Sequence, residues 1–143
     1  MSLDCQVDFY QLESGRMEPD RLACRLAVMA WERGHRVSIV TGDEQQAAAM
    51  DELLWAFPEQ RFVPHGRSGA PEAVGAPVVI STRAPRTAAE VVINLTAEAL
   101  PGLETIQRLL EIVPFDESER EAARGKYKTY LQQGIKPGFH KIN

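Results

Sequence analysis

The chain has 143 residues, 44% apolar and 25% charged, and its 16 Lys and Arg face 20 Asp and Glu for a net charge of −4. That length and balance suit one globular domain with a single core, spanning residues 1–143, and argue against disorder. The acidic total argues against a chain that grips a phosphate backbone with its whole surface, which leaves a local basic patch or a protein intermediary as routes to DNA. Cys5 and Cys24 are too few for a disulfide framework and are not spaced as metal ligands. Cys24 lies among Leu22, Ala23 and Leu26, where a thiol behaves as a small buried hydrophobe. No apolar run approaches the ~20 residues of a membrane span. The opening Met-Ser-Leu-Asp-Cys is not patterned as a secretory signal, so a cytoplasmic location is expected.

In chain order, residues 5–12 read as a strand, with Cys5, Val7 and Phe9 alternating with Gln6, Asp8 and Tyr10. Gly15 breaks it. A helix is predicted over 19–33: Pro19 is tolerated in the first turn, Leu22, Leu26, Met29 and Ala30 make one apolar face, and Gly34 is the stop. Residues 37–40 form a short apolar strand, and Asp43 can cap a helix over 44–57 that Pro58 ends. A brief strand at 61–63 and a Gly/Pro-rich loop over 64–77 follow. The unalternated runs 78–81 and 91–95 suit strands buried on both faces. Residues 105–113 fit a helix through Ile106, Leu109, Leu110 and Val113, yet their β-branched end fits a strand, and both readings stand. The last helix starts near Asp116 or Ser118 and runs to Gln133, closed by Gly134. Strands alternating with helices predict a three-layer, Rossmann-like α/β domain with a mostly parallel sheet and helices on both faces.

Little in the chain promises catalysis. The turn Thr41-Gly42-Asp43 lies where doubly wound folds bind ligands, but it lacks both G-x-G-x-x-G and G-x-x-x-x-G-K-[ST]. His35, His65 and His140 form no H-x-x-x-H pair and have no cysteine at metal spacing. No serine sits in a nucleophile elbow. Asp116, Glu117, Glu119 and Glu121 crowd a helix start, where they suit the dipole and a Ser118–Glu121 capping box. No catalytic residue, cofactor or metal is therefore expected.

Two surfaces look suited to partners. On the last helix Arg120, Arg124 and Lys128 recur at i, i+4 steps, flanked by Tyr127 and Leu131, while Ala122, Ala123 and Tyr130 lie on the opposite side, suited to packing. Like charges so stacked repel by a few tenths of a kcal/mol per pair, roughly, and Glu117 and Glu121 relieve part of it. The stripe reads either as a solvated face or as a site for an anionic peptide with an apolar anchor, the cations holding carboxylates and Tyr127 with Val113 walling a pocket. The second surface is 54–58 with 61–65, where Trp55 and Phe62 read either as core or as interface anchors.

At these residues the chain resembles the chi subunit family of bacterial DNA polymerase III. The resemblance extends along nearly the whole chain. It is densest in Asp51-Glu52-Leu53-Leu54-Trp55-Ala56 with Phe62-Val63-Pro64-His65 and Gly75-Ala76-Pro77-Val78, and in Val113-Pro114-Phe115 with Ala123-Arg124-Gly125-Lys126-Tyr127-Lys128 and Tyr130. Val7-Asp8-Phe9-Tyr10 and Val92-Ile93-Asn94-Leu95 fit as well. The order and spacing of these segments, rather than any one of them, carry the likeness.

The resemblance implies a Rossmann-like fold without nucleotide chemistry. It further implies a non-catalytic accessory subunit of the polymerase (nucleotidyltransferase) holoenzyme, bridging the psi subunit of the clamp loader to the acidic carboxyl-terminal tail of single-stranded-DNA-binding protein. DNA would be contacted indirectly, with no membrane partner, and a helicase-like protein is a candidate competitor for the psi surface. Carried over by position, the tail site would be Val113, Arg120, Arg124, Tyr127 and Lys128, and the psi site Trp55, Phe62 and Pro64. Arg120 departs from the lysine that the family's pattern allows, keeping the charge but changing the hydrogen-bond geometry. Residues 66–73 and 135–143 match poorly, and no site is carried there. The alternatives are an enzyme acting on a nucleotide or phosphorylated substrate at Thr41-Gly42-Asp43, or direct single-stranded DNA binding by the basic stripe with Tyr127 stacking.

Overall fold

A computed structural model describes residues 4–56, 63–85 and 87–142. Its elements are β1 (Gln6–Leu12), α1 (Pro19–Glu32), β2 (Val37–Val40), α2 (Glu44–Ala56), β3 (His65–Arg67), β4 (Val78–Ser81), β5 (Ala89–Asn94), β6 (Ile106–Val113), α3 (Glu117–Gln132) and β7 (Gly138–Ile142), with short 3-10 turns at Pro71–Ala73 and Leu103–Thr105. The seven strands make one sheet in the order β3-β4-β2-β5-β6-β1-β7, and every pairing is parallel. The expected α/β architecture with helices on both faces is what the chain adopts.

Because side chains alternate along a strand, each central strand feeds two cores. Ile39, Ile80, Ile93, Leu110 and Ile112 meet Leu22, Leu26, Met50 and Leu54 of α1 and α2 on one face. On the other, Phe9, Val40, Val92, Leu109 and Val113 meet Ala123 and Tyr130 of α3. Burial on both faces explains why 105–113 was open to two readings: in such a strand the apolar residues show no period that distinguishes it from a buried helix. Here the β-branched end prevails, and Ile106–Val113 runs as a strand between β1 and β5. Among the described residues no helix is long and apolar enough to cross a membrane.

Three local expectations give way. The strand anticipated at 61–63 falls partly outside the described residues, and Val63 lies outside any strand; the edge strand is His65–Arg67, inside the anticipated loop. Gly66 looks like a loop residue, but a Cβ there would stand 2.4 Å from the Ala73 nitrogen, so glycine serves the close packing of the 3-10 turn on β3. The second is the cap of α3. Asp116 accepts from the Ser118 backbone at 2.8 Å, in place of the Ser118–Glu121 box. Third, residues 138–142 form β7, a strand the sequence reading did not place.

Candidate peptide-binding hollow

The inward face of α3 decides what its outward face can offer. Ala123, Lys126 and Tyr130, at i, i+3 and i+7, are buried against the sheet. Lys126 is the surprise. Its Nζ donates at 2.9 Å to Glu111, a β6 carboxylate with no exposed surface. The Tyr130 hydroxyl (2.5 Å) and the Asn94 side-chain amide (2.8 Å) donate to the other Glu111 oxygen, and the Leu100 amide donates to Tyr130. Burial pushes the Glu111 carboxyl up, and Lys126, Tyr130 and Asn94 pull against it. The Tyr130 phenol is also raised, first by burial and then by the charge of Glu111. These bonds lock the rotation of α3 about its axis.

With that face inward, Arg120, Arg124, Tyr127 and Lys128 rim a hollow of about 270 Å³. Val113, Ala123, Phe9, Gln11 and Phe139 complete its lining. All five residues assigned by resemblance to the tail site thus surround one space, alongside four others. Phe9, Tyr127 and Phe139 make an aromatic cluster: Phe9 and Phe139 stack at 5.3 Å, Tyr127 meets Phe139 at 5.3 Å, and Tyr127 stands edge-on to Phe9 at 5.9 Å.

The three cations are not equivalent. Arg120 donates from Nε to the Pro114 carbonyl (2.9 Å) and from Nη2 to the Leu12 carbonyl (3.0 Å), and it lies over the Phe115 ring. Much of its donor capacity therefore joins α3 to the end of β1 and to the turn after β6, while its charge stays at the rim. Arg124 is exposed and bridges Glu117 (2.5 Å) and Glu121 (3.1 Å), as the helix spacing predicted; the pairing holds the Glu117 carboxyl below its ordinary range. Exposed ion pairs of this kind are worth about 0–1 kcal/mol and are readily exchanged. Lys128 makes no ion pair among the described residues.

At the other surface Trp55 is 61% exposed and meets the buried His65 ring edge-on at 4.9 Å. The His65 Nδ1 donates to the Val63 carbonyl at 2.7 Å, and its Nε2 lies 3.1 Å from Asp51 Oδ1 but off the line of a hydrogen bond. Pro64, next to His65 in the chain, is half-buried. Phe62, the third residue assigned there, lies outside the described residues. Trp55 is thus a surface residue and not core.

The carboxyl ends of the strands offer less for phosphate chemistry. At Thr41-Gly42-Asp43, the Gly42 amide donates to Gln46 Oε1 and the Gln46 amide to Asp43 Oδ1, both at 2.8 Å. Two of the amides that could cradle a phosphate are thus taken by the chain's own side chains. A larger crevice of about 610 Å³ lies beyond β5 and β6, lined by Glu18, Asp20 and Glu119 as well as Arg21 and Lys126. Its acids outnumber its cations, a poor setting for an anion.

Phe9, Gln11 and Phe139 were missed from the sequence. Phe9 was within reach, since it alternates with Tyr10 on the strand face that α3 covers. Phe139 was not, because Pro137 and Gly138 conceal the start of β7.

The parallel sheet, helices on both faces and self-closed turn define a Rossmann-like domain whose accessible hollow lies on a helix face and not at a phosphate-binding turn. Residues 5–138 match the family model of the DNA polymerase III chi subunit, HolC, and the chain belongs to that family. It is similar to the DNA polymerase III subunit chi of Pseudomonas aeruginosa, 36% identical over 141 residues and covering 96% of each chain. The Escherichia coli subunit chi is 33% identical over 134 residues, 89% of this chain and 91% of that one. The Haemophilus influenzae subunit chi is 33% identical over 131 residues, with 90% and 91% covered. Membership makes this chain an accessory subunit of DNA replication.

Proposed function

We propose that the chain is a non-catalytic bridge, working in the cytoplasm as a single domain over residues 1–143, between the psi subunit of the clamp loader and the acidic carboxyl-terminal tail of single-stranded-DNA-binding protein. One observation supports the tail half above all: an aromatic hollow of about 270 Å³ opens directly beside Arg124 and Lys128. A peptide ending in a large apolar residue fits that combination. Its side chain enters the hollow beside Tyr127 and Val113, and its carboxylates exchange with Glu117 and Glu121 on Arg124. Rim charges chiefly speed encounter and confer salt sensitivity, whereas the buried anchor governs release.

Micromolar affinity, about −8 kcal/mol, weakening with salt, is expected for an acidic peptide with an apolar carboxyl-terminal residue. Arg124→Ala is expected to cost about 1–3 kcal/mol, measured by titration calorimetry; unchanged affinity would remove Arg124 from the site. The psi half is supported by the exposure of Trp55 beside Pro64, with Phe62 assigned by resemblance. Phe62→Ala is expected to abolish co-purification with psi while leaving peptide affinity intact, and simultaneous loss of both would indicate misfolding instead. A helicase-like protein competing for the Trp55 surface would be displaced by psi in the same assay.

A further inference from the structure

β7 is a five-residue edge strand with β1 as its only sheet neighbour among the described residues, and Phe139 on it is 54% exposed. An edge strand is paired along one side alone, and Asp8 of β1 adds a side-chain anchor to that pairing. Asp8 is 4% exposed. Its Oδ1 accepts from His140 Nε2 at 3.0 Å, and its Oδ2 accepts from Arg108 Nε at 3.2 Å and Gln6 Nε2 at 3.0 Å. Burial works against ionisation of Asp8, but His140, Arg108 and Gln6 outweigh it and hold the carboxyl below its ordinary range. An ionised carboxylate only accepts, so Nε2 of His140 carries the proton in this bond. The imidazole also stacks on Tyr10 at 4.7 Å and 17°, and the Tyr10 hydroxyl accepts from Arg108 at 3.1 Å. A Cβ on Gly138 would stand 2.6 Å from Asp8 Oδ1, so a bare backbone at 138 gives the carboxylate its room.

The register turns this anchor into a device. Asp8 pairs with Gly138, Phe9 with Phe139 and Tyr10 with His140. Neighbouring side chains on a strand point to opposite faces, and a one-residue slip exchanges the faces. Holding His140 on the Asp8 side therefore holds Phe139 on the other, against Phe9 and Tyr127.

We propose that Asp8 and His140 are positioning residues for the hollow: they fix the register of β7, so that Phe139 forms the wall that closes over the peptide's terminal side chain. The part concerning peptide rests on the tail reading above; the part concerning the register does not. The family match ends at residue 138, so the wall lies beyond the matched segment.

The test uses the full chain, a fluorescent peptide with several aspartates and an apolar carboxyl-terminal residue, and ring-to-ring nuclear Overhauser contacts between Phe139 and Tyr127. Phe139→Ala is expected to weaken the peptide about tenfold with little change in Tm. His140→Ala is expected to lose the ring contacts and a similar share of affinity. His140→Gln, whose amide N–H can still reach Asp8, is expected to restore both. Ring contacts that persist in His140→Ala would overturn the register claim, and a Phe139→Ala variant that binds like its parent would overturn the wall. Should the parent ignore the peptide while the ring contacts respond as stated, the tail reading falls and the clasp stands.

Discussion

Lys126→Met is expected to destabilise the fold by about 3–5 kcal/mol, the largest stability effect of any single change considered. The loss comes from what remains behind: Glu111 would keep its Tyr130 and Asn94 donors but lose the only cation at hydrogen-bond distance from it among the described residues. The carboxyl can escape by taking up a proton, since burial already raises its pKa. A group whose pKa is higher folded than unfolded binds more protons when folded, so stability falls as pH rises. The variant's deficit should therefore be smallest at acid pH and grow as pH climbs from the ordinary carboxylate range through the raised one. Urea denaturation across pH measures it. Combining Lys126→Met with Glu111→Gln is expected to recover most of the loss, because removal of both charges leaves no uncompensated ion. A single variant as stable as the parent at neutral pH would show that the pair contributes nothing beyond a polar contact.

Tyr127→Ala carries the largest expected effect on binding, about 2–4 kcal/mol of affinity for the acidic peptide by calorimetry. Its ring touches both Phe9 and Phe139, so truncation removes one wall of the aromatic hollow. Tyr127→Phe is the informative companion. If the ring is the wall, Phe retains nearly all of the affinity; if Phe loses as much as Ala, the hydroxyl is the contact and the hollow is not the anchor site. The two helix positions thus separate cleanly. Lys126 faces the sheet and affects folding, whereas Tyr127, its neighbour, faces the hollow and affects binding.

The sequence made some of this visible and hid the rest for identifiable reasons. The i, i+4 spacing placed Arg120, Arg124 and Lys128 on one stripe, and all three do rim one hollow with Tyr127 and Val113. Spacing could not show that Arg120 spends its donors on the Pro114 and Leu12 carbonyls, since those partners come from other elements. Nor could it mark Lys126 as buried, because nothing in a cationic helix tells which lysine meets a glutamate on a sheet. The strand Ile106–Val113 was ambiguous because two-sided burial erases alternation. β7 was overlooked because its alternation is short and follows a Pro-Gly pair, and with it went Phe139 and the Asp8–His140 bond.

Phe9 and Phe139, which stack face to face, belong to the first and the seventh strand. During translation these two rings are separated by the synthesis of β2 to β6 and of α1, α2 and α3, and domains generally mature as units while the ribosome elongates. The hollow consequently cannot form until Phe139 has been made. A nascent copy stalled before Phe139 would carry the cationic stripe without its aromatic pocket, so peptide capture would report on synthesis through β7.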